Sequence, residues 1–118
     1  MRAQLPWPPS CLSPNARIHW APKRAATAKY RADCAWATRA AGIFEGTILP
    51  DPLPMTITFC PPNKRRRDRD NLIASFKAGQ DGLSDAIGLD DSRFIPTYRV
   101  GDPVKGGAVL VEIGEGAQ

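Results

Sequence analysis

Histidine occurs once in the 118 residues, at His19, and cysteine three times, at Cys11, Cys34 and Cys60, with no CxxC pair. One imidazole cannot build a zinc site or a histidine-based triad, so any metal chemistry falls to carboxylates. Widely spaced cysteines in odd number, and a start without an apolar run of signal-peptide length, give no disulfide framework. They lead to the expectation of a cytoplasmic, reducing location in which the thiols act as small apolar fillers. No stretch is long enough to cross a membrane, so no membrane partner is expected. Internal repeats and domain linkers are also missing. The chain reads as one domain, 1–118, with a core limited enough that pairing into a homodimer is expected.

What the sequence does contain is uneven charge. Sixteen Lys and Arg against twelve Asp and Glu leave a formal charge of only +4, but Lys64, Arg65, Arg66, Arg67 and Arg69 fall within six positions. Their local potential exceeds what the net figure conveys, and a phosphodiester backbone is its natural partner. A solvated, flexible loop has the same composition. Directly against this run stand Asp68 and Asp70, and the segment 64–91 closes with Asp90 and Asp91. Asn15, Arg17 and His19 are expected to face the same groove as the arginines. Trp7, set among prolines, serves either as a packing residue or as a platform for stacking bases.

The periodicity predicts four strands and two main helices. Arg2 to Leu5 is a short strand stopped by Pro6, Pro8 and Pro9, which cannot donate to a ladder. Thr27 is expected to cap a helix ending at Gly42, with Tyr30, Cys34, Ala37 and Ala41 as a sparse stripe suited to close packing on a sheet. Leu53, Met55, Ile57 and Phe59 alternate with Pro54, Thr56, Thr58 and Cys60, the period of a strand with one buried face. A second helix is expected from Asp68 or Asp70 to Gly88. It buries Leu72, Phe76, Leu83 and Ile87, and Gly79 and Gly82 permit close approach to the sheet. Strands Phe94 to Val100 and Ala108 to Ile113 follow. The fold class is α/β of α+β character: one small domain with a mixed sheet packed against two main helices.

Two aspartates at i and i+2 do not share a helix face, since two residues turn the chain by about 200°. At an N-cap they can converge, because that backbone is not yet helical. Asp68 and Asp70 meet this condition, and Asp91 is expected to return to the same end of the sheet after one helix and one turn. Clustered carboxylates raise one another's pKa values unless a cation intervenes. Oxygen-only donors favour Mg²⁺ or Mn²⁺ over zinc, and on a phosphodiester such an ion activates water and neutralises the leaving oxygen. Asp68 and Asp70 are the first candidates as ligands and Asp91 the third, with Asp90 as its substitute. Capping and turn formation are the structural alternatives for each. Lys77 either contacts the scissile phosphate from the same side of the helix as Asp70 or pairs with Asp81. Asn71 orients Asp70 or a water, or shares in the capping.

PWPPS near the start, the strand leading into PPNKRRRDRDNL, the helix after it, GLDDSRF and the final strand after KGG resemble the RusA-type Holliday junction resolvases, often encoded by prophages. The resemblance extends over nearly the whole chain, and its most specific part is the ordered combination of arginine run, DxDN and DD. It implies a homodimeric, Mg²⁺-dependent endonuclease that binds four-way DNA junctions and introduces paired symmetric nicks. Its essential aspartates fall on Asp68, Asp70 and Asp91, and Lys64, Arg65, Arg66, Arg67, Arg69, Asn71 and Arg17 become DNA-binding residues. The family lysine three residues after the asparagine is replaced here by Ala74, and Lys77 is the nearest lysine for that catalytic role. The alternative is a non-catalytic phage DNA-binding protein that uses the arginine loop alone.

Overall fold

The computed structural model describes residues 1–14 and 20–114. Four strands, β1 (Arg2–Leu5), β2 (Leu53–Cys60), β3 (Phe94–Val100) and β4 (Ala108–Ile113), form one mixed sheet in the order β1-β4-β2-β3. All four occupy the spans expected from their alternation. β4 runs antiparallel to both β1 and β2, while β2 and β3 are parallel. Ala3, Val111, Ile57 and Tyr98 stand abreast across the sheet. They share the face on which Leu53, Met55 and Phe59 are fully buried. Losing a ring such as Phe59 from this layer costs about 3–5 kcal/mol.

Three helices complete an α+β fold: α1 (Trp20–Ala40), α2 (Arg69–Ser75) and α3 (Lys77–Ile87). α1 begins seven residues before Thr27, the position expected to cap it. The Thr27 hydroxyl instead donates back to the Lys23 carbonyl at 2.8 Å, the bond of a mid-helix threonine. Pro22 is tolerated because the first turn of a helix has no intrahelical use for its N–H groups. At the other end Gly42 takes φ +89° and donates to Arg39, and Ile43 donates to Thr38. This is a Schellman stop, and it buries Ile43. The buried stripe of α1 is Tyr30, Cys34, Ala35 and Thr38, whereas Ala41 lies beyond the helix and is exposed.

The single helix expected from Asp68 or Asp70 to Gly88 is two. Phe76, at φ −89° and ψ −2° in the right-handed region, ends α2 and opens α3. Its ring is buried edge-on against Tyr30 and Phe59, at centroid distances of 6.4 and 5.7 Å. Gly79 and Gly82 do permit close approach, but to other partners than the sheet. A Cβ on Gly82 would stand 2.4 Å from the Arg31 carbonyl oxygen, so α3 meets α1 backbone to backbone. The Arg31 guanidinium forks onto both oxygens of Asp85 at 2.6 and 2.8 Å and joins the same two helices. It holds the Asp85 carboxyl below the usual aspartate value.

Topology governs where the acidic residues lie. In the parallel pair Leu53 stands opposite Phe94, and Phe59 opposite Val100. The chain therefore leaves β2 at one end of the pair and enters β3 at the other, with α2 and α3 as the crossover. Asp68 and Asp70 stand at the start of that crossover and Asp91 at its finish. Asp91 precedes β3 by three residues, and its carboxylate reaches back to Lys77 at the start of α3.

Candidate active site

The loop that leaves β2 is braced from within. The Asn63 side-chain oxygen accepts from the Arg65 backbone N–H at 3.0 Å and from the Arg67 guanidinium at 3.0 Å. A second guanidinium nitrogen of Arg67 donates to the carbonyls of Asn63 and Arg65 at 3.1 and 2.9 Å. The same guanidinium lies 5.8 Å from the Trp7 ring centroid. Arg69 crosses to β3 and donates to the Tyr98 carbonyl at 2.6 Å. The five basic residues thus divide. Arg67 and Arg69 hold the loop in shape, while the exposed side chains of Lys64, Arg65 and Arg66 make no ion pair or hydrogen bond to a described residue.

Asp68 is the N-cap of α2. Its backbone is extended, at φ −78° and ψ 125°, and one carboxylate oxygen accepts from the Asp70 N–H at 3.0 Å. Asp70 follows in the first turn, exposed to solvent. The helix thus begins with Asp68 as its cap, and Asp70 lies in the first turn, where a carboxylate suits the positive end of the helix. Asn71 is half-buried, and its carbonyl accepts from Ser75.

The break at Phe76 removes the argument that Lys77 lies two turns along one helix from Asp70. Lys77 starts α3, and its ammonium donates to Asp91 at 2.6 Å and to Asp81 at 2.9 Å. The Asp91 contact, followed by that with Asp81, raises the lysine pKa above its ordinary value. Asp90, which precedes the short 3₁₀ turn Asp91–Arg93, caps it by accepting from the N–H and hydroxyl of Ser92. Those bonds lower its pKa. Asp68 and Asp70 are thus adjacent, whereas Asp91 is joined to Lys77 and Asp81. Among the described residues no three His, Cys, Asp or Glu side chains gather into a group that could hold a metal ion. Arg17, together with Asn15 and His19, lies outside the described residues.

Beside Asp68 opens a groove of about 710 Å³ between the proline-rich segment and the basic loop. Trp7, Pro9 and Ser10 form one wall, and Arg65, Arg66 and Arg67 the other. The Tyr30 hydroxyl secures the proline-rich wall by donating to the Pro6 carbonyl at 2.7 Å. Sequence reasoning missed Asn63 and the internal use of Arg67, which have no signature beyond a common loop composition. It also missed the bond from the Tyr98 hydroxyl to Gln80 at 2.7 Å, which ties β3 to α3. The spacing of Lys77 and Asp81 gave one of the two lysine contacts; the contact with Asp91 is tertiary.

Fold and site define a small α+β protein with an exposed basic loop and with Asp68, Asp70 and Asp91 distributed along one parallel crossover. No protein-family model matches the chain. A protein of Xylella fastidiosa strain Temecula1, described as an uncharacterized protein, is 40% identical to it over 112 residues, covering 92% of this chain and 72% of the relative. The chain belongs to the same family as that protein. Among the described residues no helix is long and apolar enough to cross a membrane.

Proposed function

We propose that the protein is a Mg²⁺-dependent, structure-selective DNA endonuclease of RusA type that resolves four-way junctions by paired symmetric nicks as a homodimer. The observation that carries this reading is the placement of exposed Lys64, Arg65 and Arg66 in one braced loop with Asp68 and Asp70. Three cations without a partner among the described residues favour a phosphate backbone. Carboxylates beside them oppose simple DNA binding and need a further purpose.

Asp68, Asp70 and Asp91 are hard oxygen donors, and their chemistry fits Mg²⁺ or Mn²⁺. They would hold the ion, although Asp91 is drawn to Lys77 and the three are not gathered beforehand. The ion supplies Lewis acidity and an activated water. The chain's own part is to bind and orient: Lys64, Arg65 and Arg66 engage phosphates flanking the cut, and Arg67 and Arg69 keep the loop in register. Lys77 places a proton-bearing cation between Asp81 and Asp91, at the start of α3.

A second reading has its own observation. Asp68 as a cap and Asp91 as an ion-pair partner each have a structural role, which is all that a non-catalytic DNA-binding protein would require of them. Purified protein mixed with a synthetic four-way junction separates the two. Nicking with Mg²⁺ or Mn²⁺, and none without, is the expected result; tight binding with no nicking in either metal over a range of pH refutes the enzyme.

A further inference from the structure

We propose that the groove between Trp7 and the basic loop takes one unstacked nucleotide of a DNA strand, stacked on the guanidinium plane of Arg67. The proposal rests on the reading of the protein as a DNA endonuclease and names what that site holds beside the phosphates. Arg67 is the reason. A guanidinium has five N–H donors, and three of those of Arg67 are directed into its own loop, at 3.1, 2.9 and 3.0 Å. Two donors remain, Nε–H and one hydrogen of the second terminal nitrogen, and the three committed bonds hold the guanidinium plane in place, a constraint that the side chains of Arg65 and Arg66 lack among the described residues. What it still offers is a flat cationic face, and bases stack on arginine planes as they do on aromatic rings.

The platform is fixed in advance. Trp7 meets Phe59 edge-on, with centroids 6.4 Å apart and planes at 89°. Behind it Gly107 leaves no room, since a Cβ there would stand 2.8 Å from Trp7 Cγ. Arg67 then lies over the indole and is held by Asn63. Such prior ordering lowers the entropy lost on binding. The groove volume of about 710 Å³ falls within the range of small-molecule sites, far more than a phosphate needs. Trp7, Pro9 and Leu72 give it apolar surface, while Ser10 and Asn71 offer hydrogen bonds to a base edge. A base within an intact duplex cannot enter such a groove; one that is unpaired or extruded can. Charge complementarity points to the same occupant, because Lys64, Arg65 and Arg66 stand ready for the adjoining phosphates.

The test compares a labelled oligothymidylate with a duplex of equal length, using wild type, Arg67→Lys, Ser10→Leu and Arg66→Ala. R67K keeps the charge and removes the plane; S10L fills the groove and leaves the loop untouched, which guards against loop collapse in R67K. S10L should bind the single strand about tenfold more weakly and the duplex as wild type does, while R67K, which also loosens the loop that Arg67 braces, should lose more on the single strand than on the duplex. R66A should weaken both DNAs and lower the salt slope by about one. Wild-type single-strand affinity in R67K and S10L, or equal losses on both DNAs, overturns the subsite while leaving the nuclease reading intact. A change in the sedimentation of S10L without a change in strand affinity also overturns it, by giving the groove to a second copy. Failure of wild type to bind either DNA removes the endonuclease reading and this inference together.

Discussion

Asp68 carries two proposed roles that can be separated by one pair of substitutions. Its carboxylate caps α2 through the Asp70 N–H at 3.0 Å, and the helix is only seven residues long. Asp68→Ala leaves that donor without its side-chain partner, a loss of about 1 kcal/mol for an exposed N-cap, or about 4 °C in melting temperature. Asp68→Asn keeps an oxygen in the same place and loses only the favourable charge at the helix terminus. That charge is worth about 0.3 kcal/mol, the low end of the range, because the residue is exposed. Catalysis responds differently. If Asp68 helps hold the metal, both substitutions weaken an ion whose transition-state stabilisation amounts to several kcal/mol. Both should then slow cutting about 100-fold or more, equivalent to roughly 2.7 kcal/mol. Urea and thermal unfolding give the first quantity; single-turnover nicking of a four-way junction with protein in excess and Mg²⁺ present gives the second. D68N that is as stable as wild type and cuts at the wild-type rate makes Asp68 a cap alone. D68N that melts as low as D68A refutes the capping argument instead.

Asp70→Asn should abolish most cleavage and preserve or tighten junction binding, since it removes a charge that repels phosphate; a wild-type single-turnover rate counts against Asp70 as a ligand. Gly82→Ala should destabilise by about 1–3 kcal/mol through overpacking, because its Cβ meets the Arg31 carbonyl at 2.4 Å, and an unchanged urea midpoint contradicts that close approach. Asp85 is lowered by Arg31, so the unfolded chain takes up its proton first as pH falls. The resulting stability is present above the ordinary aspartate value and is lost as pH drops through the lowered one. Asp85→Asn should flatten that acid limb in a series of urea midpoints, and an unaltered limb speaks against the Arg31 pair as its source. Sedimentation of the junction complex should give two protomers per junction, and one protomer refutes the homodimer.

The strands were legible because period two, β-branched residues and proline boundaries agree locally, as in Leu53 to Cys60 followed by Pro61. Helix limits were less so. Thr27 looks like a cap in sequence, but its hydroxyl is equally able to bond back to Lys23, and only the turn before it decides which happens. Phe76 reads as one more apolar position in a continuous stripe with Leu72, Leu83 and Ile87. The contacts with Tyr30 and Phe59 at the break come from elements far away in the chain, so no local pattern reports them.

The basic run was plain in the sequence, but its division of labour was not, because five cations within six positions read the same whether they face DNA or their own loop. Asn63 decides it: by accepting from both Arg65 N–H and Arg67, it turns one member of the run inward. Arg69 is turned toward β3 in the same way. The consequence reaches the acidic side. A loop fixed by Arg67 and Arg69 delivers Asp68 to α2 in the extended conformation that a cap needs, and the side chains of Lys64, Arg65 and Arg66 have no partner among the described residues. Farther along the crossover, Lys77 at the start of α3 ties Asp91 to Asp81. Gathering Asp91 with Asp68 and Asp70 around one ion therefore asks more of side-chain reach and of the Lys77 contact than the short DxD spacing asks of its own two members.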